Sequence, residues 1–353
     1  MSAALNPEML ILARESRGLS QTDLHQKTGI PQAAISKYES GVSAVPEDRL
    51  ETIAEALGYP GQFFFRPDRV HGYGSSCFYH RKQQSLPVRK LREIQAQMNV
   101  RRLAITPLLQ GIHIETEVRF DRLDVDEYDA PEEIARLIRR NWRLPLGPVQ
   151  NLVGSIESAG GIVVRGSFGT RKLDAISQWL PGERPLFFVN GEAPGDRLRW
   201  TLAHEIGHIV MHTLNSEDQE READEFAAEL LMPKREVKPD LRSLTMAKLG
   251  PLKQYWKVSM AAVIKRAHDL NQITERQYRR FFMKLNALNY RMNEPNPIPQ
   301  EDPNLIKEII EVHRTAHSYS AAELSVAASL KLEEFHSVYL DQLDEKPRLR
   351  LVE

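Results

Sequence analysis

The run His204-Glu205-Ile206-Gly207-His208 constrains this chain more than any other feature, because within five residues it joins a helix, a metal and a buried face. Four residues on a helix make a little more than one turn, so both imidazoles point the same way and can share one cation. Neutral imidazoles suit zinc, the expected cofactor, and Glu205 between them can take a proton from water that the metal acidifies to a pKa of about 7. Leu202, Ile206, Ile209 and Val210 follow the apolar spacing of a buried helix, which sets the histidines beside a core. A catalytic zinc needs a third protein ligand and one open position, and the next helical stretch offers Glu220, Glu222 and Asp224. Ala223, Phe226, Ala227, Leu230 and Leu231 form its buried stripe, so acids near its N-terminal end can lean toward the first helix. Acids there also suit the helix dipole, and spacing leaves open which of the three is the ligand. His212 continues the series, yet lies about 6 Å further along the axis, which strains a single tetrahedral site; a substrate-contacting or structural role is expected.

A chain of 353 residues exceeds what one core usually accommodates, and 41% hydrophobic with 27% charged residues is the balance of a globular protein. No apolar stretch approaches the roughly 20 residues of a membrane helix, and Met1–Leu12 does not read as a secretion signal, so a cytoplasmic protein is expected. The single cysteine, Cys77, reads as a structural thiol. With a net charge of −1, any nucleic-acid binding has to come from a local surface.

Short helices divided by glycine stops run from Pro7 to about Phe65. Arg66–Ser85 mixes glycine, serine and proline as a linker would. Leu86–Leu109 follows as a helix with a basic face, and Ile134–Trp142 and Val149–Ala159 as two amphipathic helices. Short β-branched or aromatic runs at Gly161–Val164, Ala175–Leu180 and Leu186–Asn190 predict a small sheet. Helices are expected at Asp196–Leu214, Glu217–Leu231, Pro251–Leu270, Thr274–Asn289, Asn304–His317 and Ala321–Leu340. The fold class is therefore α+β and predominantly helical, divided into residues 1–66, a linker at 67–85, a domain at 86–239 and a helical region at 240–353.

In the first domain, Ser20 caps a helix beginning Gln21-Thr22-Asp23-Leu24, Gly29-Ile30-Pro31 turns tightly, and Gln32–Ser40 forms a second helix. With Ile35-Ser36-Lys37-Tyr38-Glu39-Ser40-Gly41 and Ile53-Ala54-Glu55-Ala56-Leu57-Gly58, this resembles the Xre-type, λ-repressor-like helix-turn-helix family. The resemblance implies that the second helix enters the major groove, with Gln32, Ala33, Ser36 and Lys37 as candidates for DNA contact and Gln21 near a phosphate. Acids outnumber bases in this segment, Glu39 among them, and Arg101 and Arg102 of the basic helix are a candidate source of further phosphate contacts.

The segments Arg199–His208 and Glu220–Pro233, with the strands before them, resemble the ImmA/IrrE-type zinc metallopeptidases. That resemblance implies a zincin-like domain in which His204, His208 and Glu220 bind zinc, Glu205 is the general base, and Asp224 orients a histidine or serves as reserve ligand. Together the two resemblances imply a regulatory endopeptidase whose protein substrate is a transcriptional repressor, cleaved to switch on stress-response, mobile-element or phage-defence genes, with DNA as a second partner through the helix-turn-helix; such domains often pair, so a homodimer is a plausible form. The alternative is a DNA-binding regulator in which zinc is structural or sensory and no peptide is turned over.

Overall fold

The structure, a computed structural model, describes residues 5–70, 86–112, 114, 116, 118–212, 217–290 and 293–340. Cys77, Arg81, Lys82 and most of the expected linker lie outside the described residues. The chain divides into two compact units, the first formed from Met1–Tyr73, Gln83–His113 and Asn304–Glu353, the second from Gly74–Lys82 and Ile114–Pro303.

The first unit opens with α1 (Pro7–Ser16), α2 (Gln21–Thr28), α3 (Gln32–Glu39) and α4 (Glu47–Leu57). Ser20 and Asp23 form a reciprocal capping box at the start of α2, and Gly29 ends it with φ 73°, a left-handed conformation that glycine adopts without a Cβ clash. Met9, Leu10, Leu24, Ile35, Ile53 and Phe64 are fully or almost fully buried between these helices. α5 (Val88–Leu109) packs along α1. Arg89 and Arg92 near its start stay exposed, while the basic residues further along are engaged inside the unit. Arg102 is buried and donates to the Arg69 carbonyl (2.9 Å), and Arg101 has a side chain 15% exposed at 3.9 Å from Glu334. Arg101 and Arg102 therefore tie the unit together rather than face DNA, a correction that follows from the burial of the second half of the helix.

The second unit contains α6 (Pro131–Asn141), α7 (Leu152–Ser158), β1 (Ile162–Gly166), β2 (Ala175–Gln178), β3 (Leu186–Asn190), α8 (Gly195–Met211) and α9 (Gln219–Leu231). The sheet order is β1-β3-β2, with β1 parallel and β2 antiparallel to β3. The β2 register pairs Ala175 with Val189 and Ser177 with Phe187, and Ala175, Val189 and Phe187 all join the core that holds α8. Because side chains alternate along a strand, Ser177 shares that inward face. α8 and α9 pack closely at Gly207, where a Cβ would stand 3.0 Å from the Phe226 ring and 3.3 Å from the Ala223 backbone. The glycine is thus required by close approach of two helices. Arg139 of α6 is buried and donates to the carbonyls of Leu230 (2.7 Å) and Gly147 (2.9 Å), fixing α6 against the end of α9.

α10 (Lys234–Val237), α11 (Met246–Trp256), α12 (Met260–Asp269) and α13 (Glu275–Ala287) complete this unit. The single helix expected over Pro251–Leu270 is two, because Lys257 takes φ 54° and Ser259 starts a new helix by capping Ala262. α14 (Leu305–Thr315), α15 (Ala321–Ala327), α16 (Leu332–Phe335) and a π-helical turn at His336–Leu340 belong to the first unit, where the expected Ala321–Leu340 helix is divided into these short pieces. The division into units differs from the sequence boundaries in two places. α5 and α14 to α16 cluster with the helix-turn-helix, and α11 to α13 with the sheet and α8.

Candidate metal centre

Leu202, Ala203 and Ile206 are fully buried, which fixes the rotation of α8 so that His204, Glu205 and His208 flank the core. The Nε2 atoms of His204 and His208 face each other at 2.9 Å. The Glu220 carboxylate on α9 stands 3.5 Å from each of them. The candidate ligand atoms of His204, His208 and Glu220 all lie within 4.8 Å of one another, the only such group of three or more among the described residues. Glu220 Oε1 is buried and lacks a hydrogen-bond partner. Two ring nitrogens directed at one another beside an unsatisfied carboxylate oxygen make a donor set that a tetrahedral N, N, O cation satisfies.

The second layer of contacts orients these donors. Asp224 Oδ1 lies 3.0 Å from His204 Nδ1, and its other oxygen accepts from Lys265 Nζ of α12 at 2.7 Å. Lys265 also lies 5.8 Å from the centre of the Trp200 ring. On the opposite imidazole, His208 Nδ1 lies 2.9 Å from His212 Nδ1, and His212 Nε2 lies 3.0 Å from Glu222 Oε2. If His208 gives its Nε2 lone pair to a metal, its proton sits on Nδ1; His212 must then accept at Nδ1 and donate from Nε2 to Glu222. One assignment of protons satisfies the whole chain. His212 can do this because α8 ends at Met211 and His212 takes an extended conformation (φ −107°, ψ 107°), so its ring returns alongside His208 instead of one turn further along.

Glu205 is 9% exposed, and its Oε2 accepts a hydrogen bond of 2.6 Å from Ser177 Oγ on β2. The strand thereby aims the carboxylate whose neighbours in sequence bear the imidazoles.

Electrostatics match this geometry. Burial depresses the His204 pKa, but the Asp224 and Glu220 carboxylates, which accept from the protonated ring, outweigh it and raise it to about 9. Burial drives His208 down to about 4, and His212 falls to about 4 through burial and the neighbouring His208 charge. Glu220 is held at about 2 although burial opposes its ionisation, because both imidazoles stand 3.5 Å from its carboxylate and favour the charged form. Asp224 is likewise held well below the usual carboxylate range against burial, by His204 and Lys265. At neutral pH Glu220 and Asp224 are charged and His208 is neutral, the forms that bind a divalent cation, whereas His204 carries a proton that the cation has to displace.

The chain is similar to two known domain models that cover different segments. Residues 157–268 match the model of the IrrE N-terminal-like domain, and residues 10–64 match the helix-turn-helix model. An IrrE-like domain thus follows a helix-turn-helix. The IrrE-like segment contains every side chain of the centre, from Ser177 on β2 to Lys265 on α12. It extends past residue 239, where the sequence reading placed a boundary, and takes in α12, which supplies the lysine that holds Asp224. Two curated proteins, HTH-type transcriptional regulators of Sinorhizobium medicae and Rhizobium meliloti, are each 38% identical over 64 residues. The match takes in 18% of this chain and 46% of each relative, so the chain spans about half the length of the curated relatives it matches.

In the helix-turn-helix, Gln32, Ala33 and Lys37 of α3 are exposed and Ser36 is half-buried. Gln32 Nε2 donates to Gln21 Oε1 (2.8 Å), and Gln21 Nε2 to Glu39 Oε2 (2.9 Å). Glu39 is 8% exposed and receives both Arg14 Nε (2.6 Å) and Arg14 Nη2 (2.9 Å). This acid is internal and already neutralised, so it does not oppose DNA in the way that its place in the sequence suggests. Arg14, Ser177 and Lys265 are the contributors that sequence reasoning missed, and Glu222, named there as a possible ligand, holds His212 instead. None of the three belongs to a local pattern, and each acts across 25 to 41 residues of chain, which only packing decides.

The His208, His212 and Glu222 chain carries a direct expectation. His212→Ala should weaken zinc binding by about 10- to 100-fold while the melting temperature of the metal-free protein changes little. Competition with a chromophoric chelator measures this, and unchanged affinity would assign His212 no part in holding His208.

Proposed function

We propose that this chain is a regulatory zinc-dependent endopeptidase coupled to a DNA-binding domain, and that its substrate is a transcriptional repressor whose cleavage switches on stress-response, mobile-element or phage-defence genes. The observation that carries the peptidase reading is the convergence of His204 Nε2, His208 Nε2 and Glu220 beside a buried, oriented Glu205. Zinc held by these three side chains would supply Lewis acidity toward the scissile carbonyl and lower the pKa of the attacking water. Glu205, held by Ser177, takes the proton of that water and later delivers it to the leaving amine. Asp224 and Lys265 keep His204 oriented, and His212 with Glu222 does the same for His208. The reading with a structural zinc and no turnover requires a fourth protein ligand, whereas three side chains converge among the described residues. Asp224 and His212 face the outer Nδ1 atoms of the two imidazoles instead.

The test is incubation of the zinc-loaded protein with repressors encoded beside it. A single discrete cut, abolished by chelator and restored by zinc, is expected. A four-coordinate zinc with only protein ligands in an X-ray absorption spectrum would overturn the reading in favour of the structural role.

The helix-turn-helix supports DNA binding through the exposed side of α3, with Gln32, Ala33, Ser36 and Lys37 as contacts, Gln21 of α2 near a phosphate, and two chains pairing on the operator. Lys37→Ala is expected to weaken binding to duplexes of any sequence and to reduce the slope of log K against log salt by about one. Fluorescence anisotropy across a salt series measures it, and an unaltered slope would remove Lys37 from the phosphate contacts. No helix among the described residues is long and apolar enough to cross a membrane, in keeping with the proposed action on DNA and a repressor in the cytoplasm.

A further inference from the structure

At the C-terminal end of α9, about 13 Å by helical rise from Glu220, the second unit holds a cleft of about 600 Å³. Arg136, Lys234, Arg235, Lys238 and Arg242 line it, opposed by two acids, Glu133 and Glu229. The segment from Lys234 to Arg242 sorts its charges by direction. Glu236 accepts a hydrogen bond from the Gly147 backbone and Asp240 one from Trp256 Nε1 (3.1 Å), so its acids are engaged inside the protein. Lys234, Arg235, Lys238 and Arg242 are exposed in the cleft, and among the described residues their side chains make no hydrogen bond or ion pair.

Neither acid offsets these four. Glu229 is 2% exposed, and its carboxylate is shared by Arg266 Nη2, Arg136 Nη1 (3.2 Å) and the Lys234 backbone N–H (3.0 Å). Glu133 lies 3.7 Å from Arg136. The two carboxylates therefore neutralise Arg136 and Arg266. Arg266 Nε also donates to the Met232 carbonyl (3.0 Å), so the turn that presents the lysines is fixed before any ligand arrives.

Four unpaired cations held around one concavity repel one another, and a polyvalent anion offsets that repulsion. The volume lies within the range of roughly 300 to 1,000 Å³ found for small-molecule sites. No aromatic ring lines the cleft, so a nucleobase has nothing to stack on, and the charges select phosphate. We propose that this cleft binds a polyphosphate group, carried either by a nucleoside triphosphate or by inorganic polyphosphate. The proposal does not depend on the peptidase reading.

Isothermal titration of the full chain with sodium tripolyphosphate and with ATP tests it, against the triple variant Lys234→Ala, Lys238→Ala, Arg242→Ala. The variant keeps the metal centre, so any chelation of zinc by the probes is common to both proteins. Saturable binding is expected, weakened on the order of tenfold or more in the triple variant. Lys234→Arg with Lys238→Arg should retain it, and thermal melts check that each variant folds. Equal affinity for both probes assigns recognition to the phosphates alone, and ATP more than tenfold tighter assigns the nucleotide. Absence of binding by both probes, binding untouched by the triple substitution, or binding of a single-stranded oligonucleotide alone would each overturn the proposal.

Discussion

Glu205→Gln is expected to bind zinc as tightly as the parent chain and to lose cleavage, with turnover lower by about 10²- to 10⁴-fold. The amide preserves the size of the side chain and its bond to Ser177 Oγ, which lies 2.6 Å from Glu205 Oε2, because it retains an oxygen that accepts. What it removes is the base. Zinc content by atomic absorption and single-turnover cleavage of the repressor separate the two effects. Loss of zinc together with activity would show that Glu205 serves the architecture of the site, and undiminished cleavage would exclude it as the base.

Glu39→Ala should have the largest effect on stability. Its carboxylate holds the Arg14 guanidinium through two hydrogen bonds, and the two side chains are 5% and 9% exposed. Removing the acid leaves a buried cation held only by the Leu19 carbonyl (2.7 Å) and by Glu15 at 3.9 Å, at a cost of about 3 to 5 kcal/mol. Urea denaturation followed by circular dichroism measures the loss. The double variant Arg14→Met, Glu39→Leu is expected to recover much of it, since replacing both charges with apolar groups removes the unpaired cation along with the pair. DNA affinity should not return with stability, because Gln21 of α2, to which Gln32 donates, loses the acceptor that fixes it against α3. A double variant that restored both would reduce the Glu39 and Gln21 link to a structural contact.

The legibility of the centre differs from residue to residue, and the reason is distance along the chain. His204, Glu205 and His208 lie within one turn and a little more, where helical geometry leaves their directions almost no freedom. Spacing could not choose among Glu220, Glu222 and Asp224, because all three suit the N-terminal half of a helix. Resemblance to a metallopeptidase family implied Glu220 and Asp224, and the packing of α9 on α8 gives each acid a separate address: Glu220 between the two Nε2 atoms, Asp224 on His204 Nδ1, and Glu222 on His212. His212 was readable as a neighbour of the series but not in its direction, since that depends on the helix ending one residue earlier.

Sequence by itself determined the helix-turn-helix, the small sheet and the pair of helices with their imidazoles, because each rests on periodicity, caps and turns that act within a few residues. Tertiary structure alone decided which side chains support them. Ser177 reaches Glu205 only after β2 joins β3, Lys265 reaches Asp224 only after α12 folds against α9, and Glu39 changes from an apparent opponent of DNA into the anchor of Arg14 once α3 packs on α1. Such contacts depend on the free energy of burying whole faces, a quantity that no local run of residues carries.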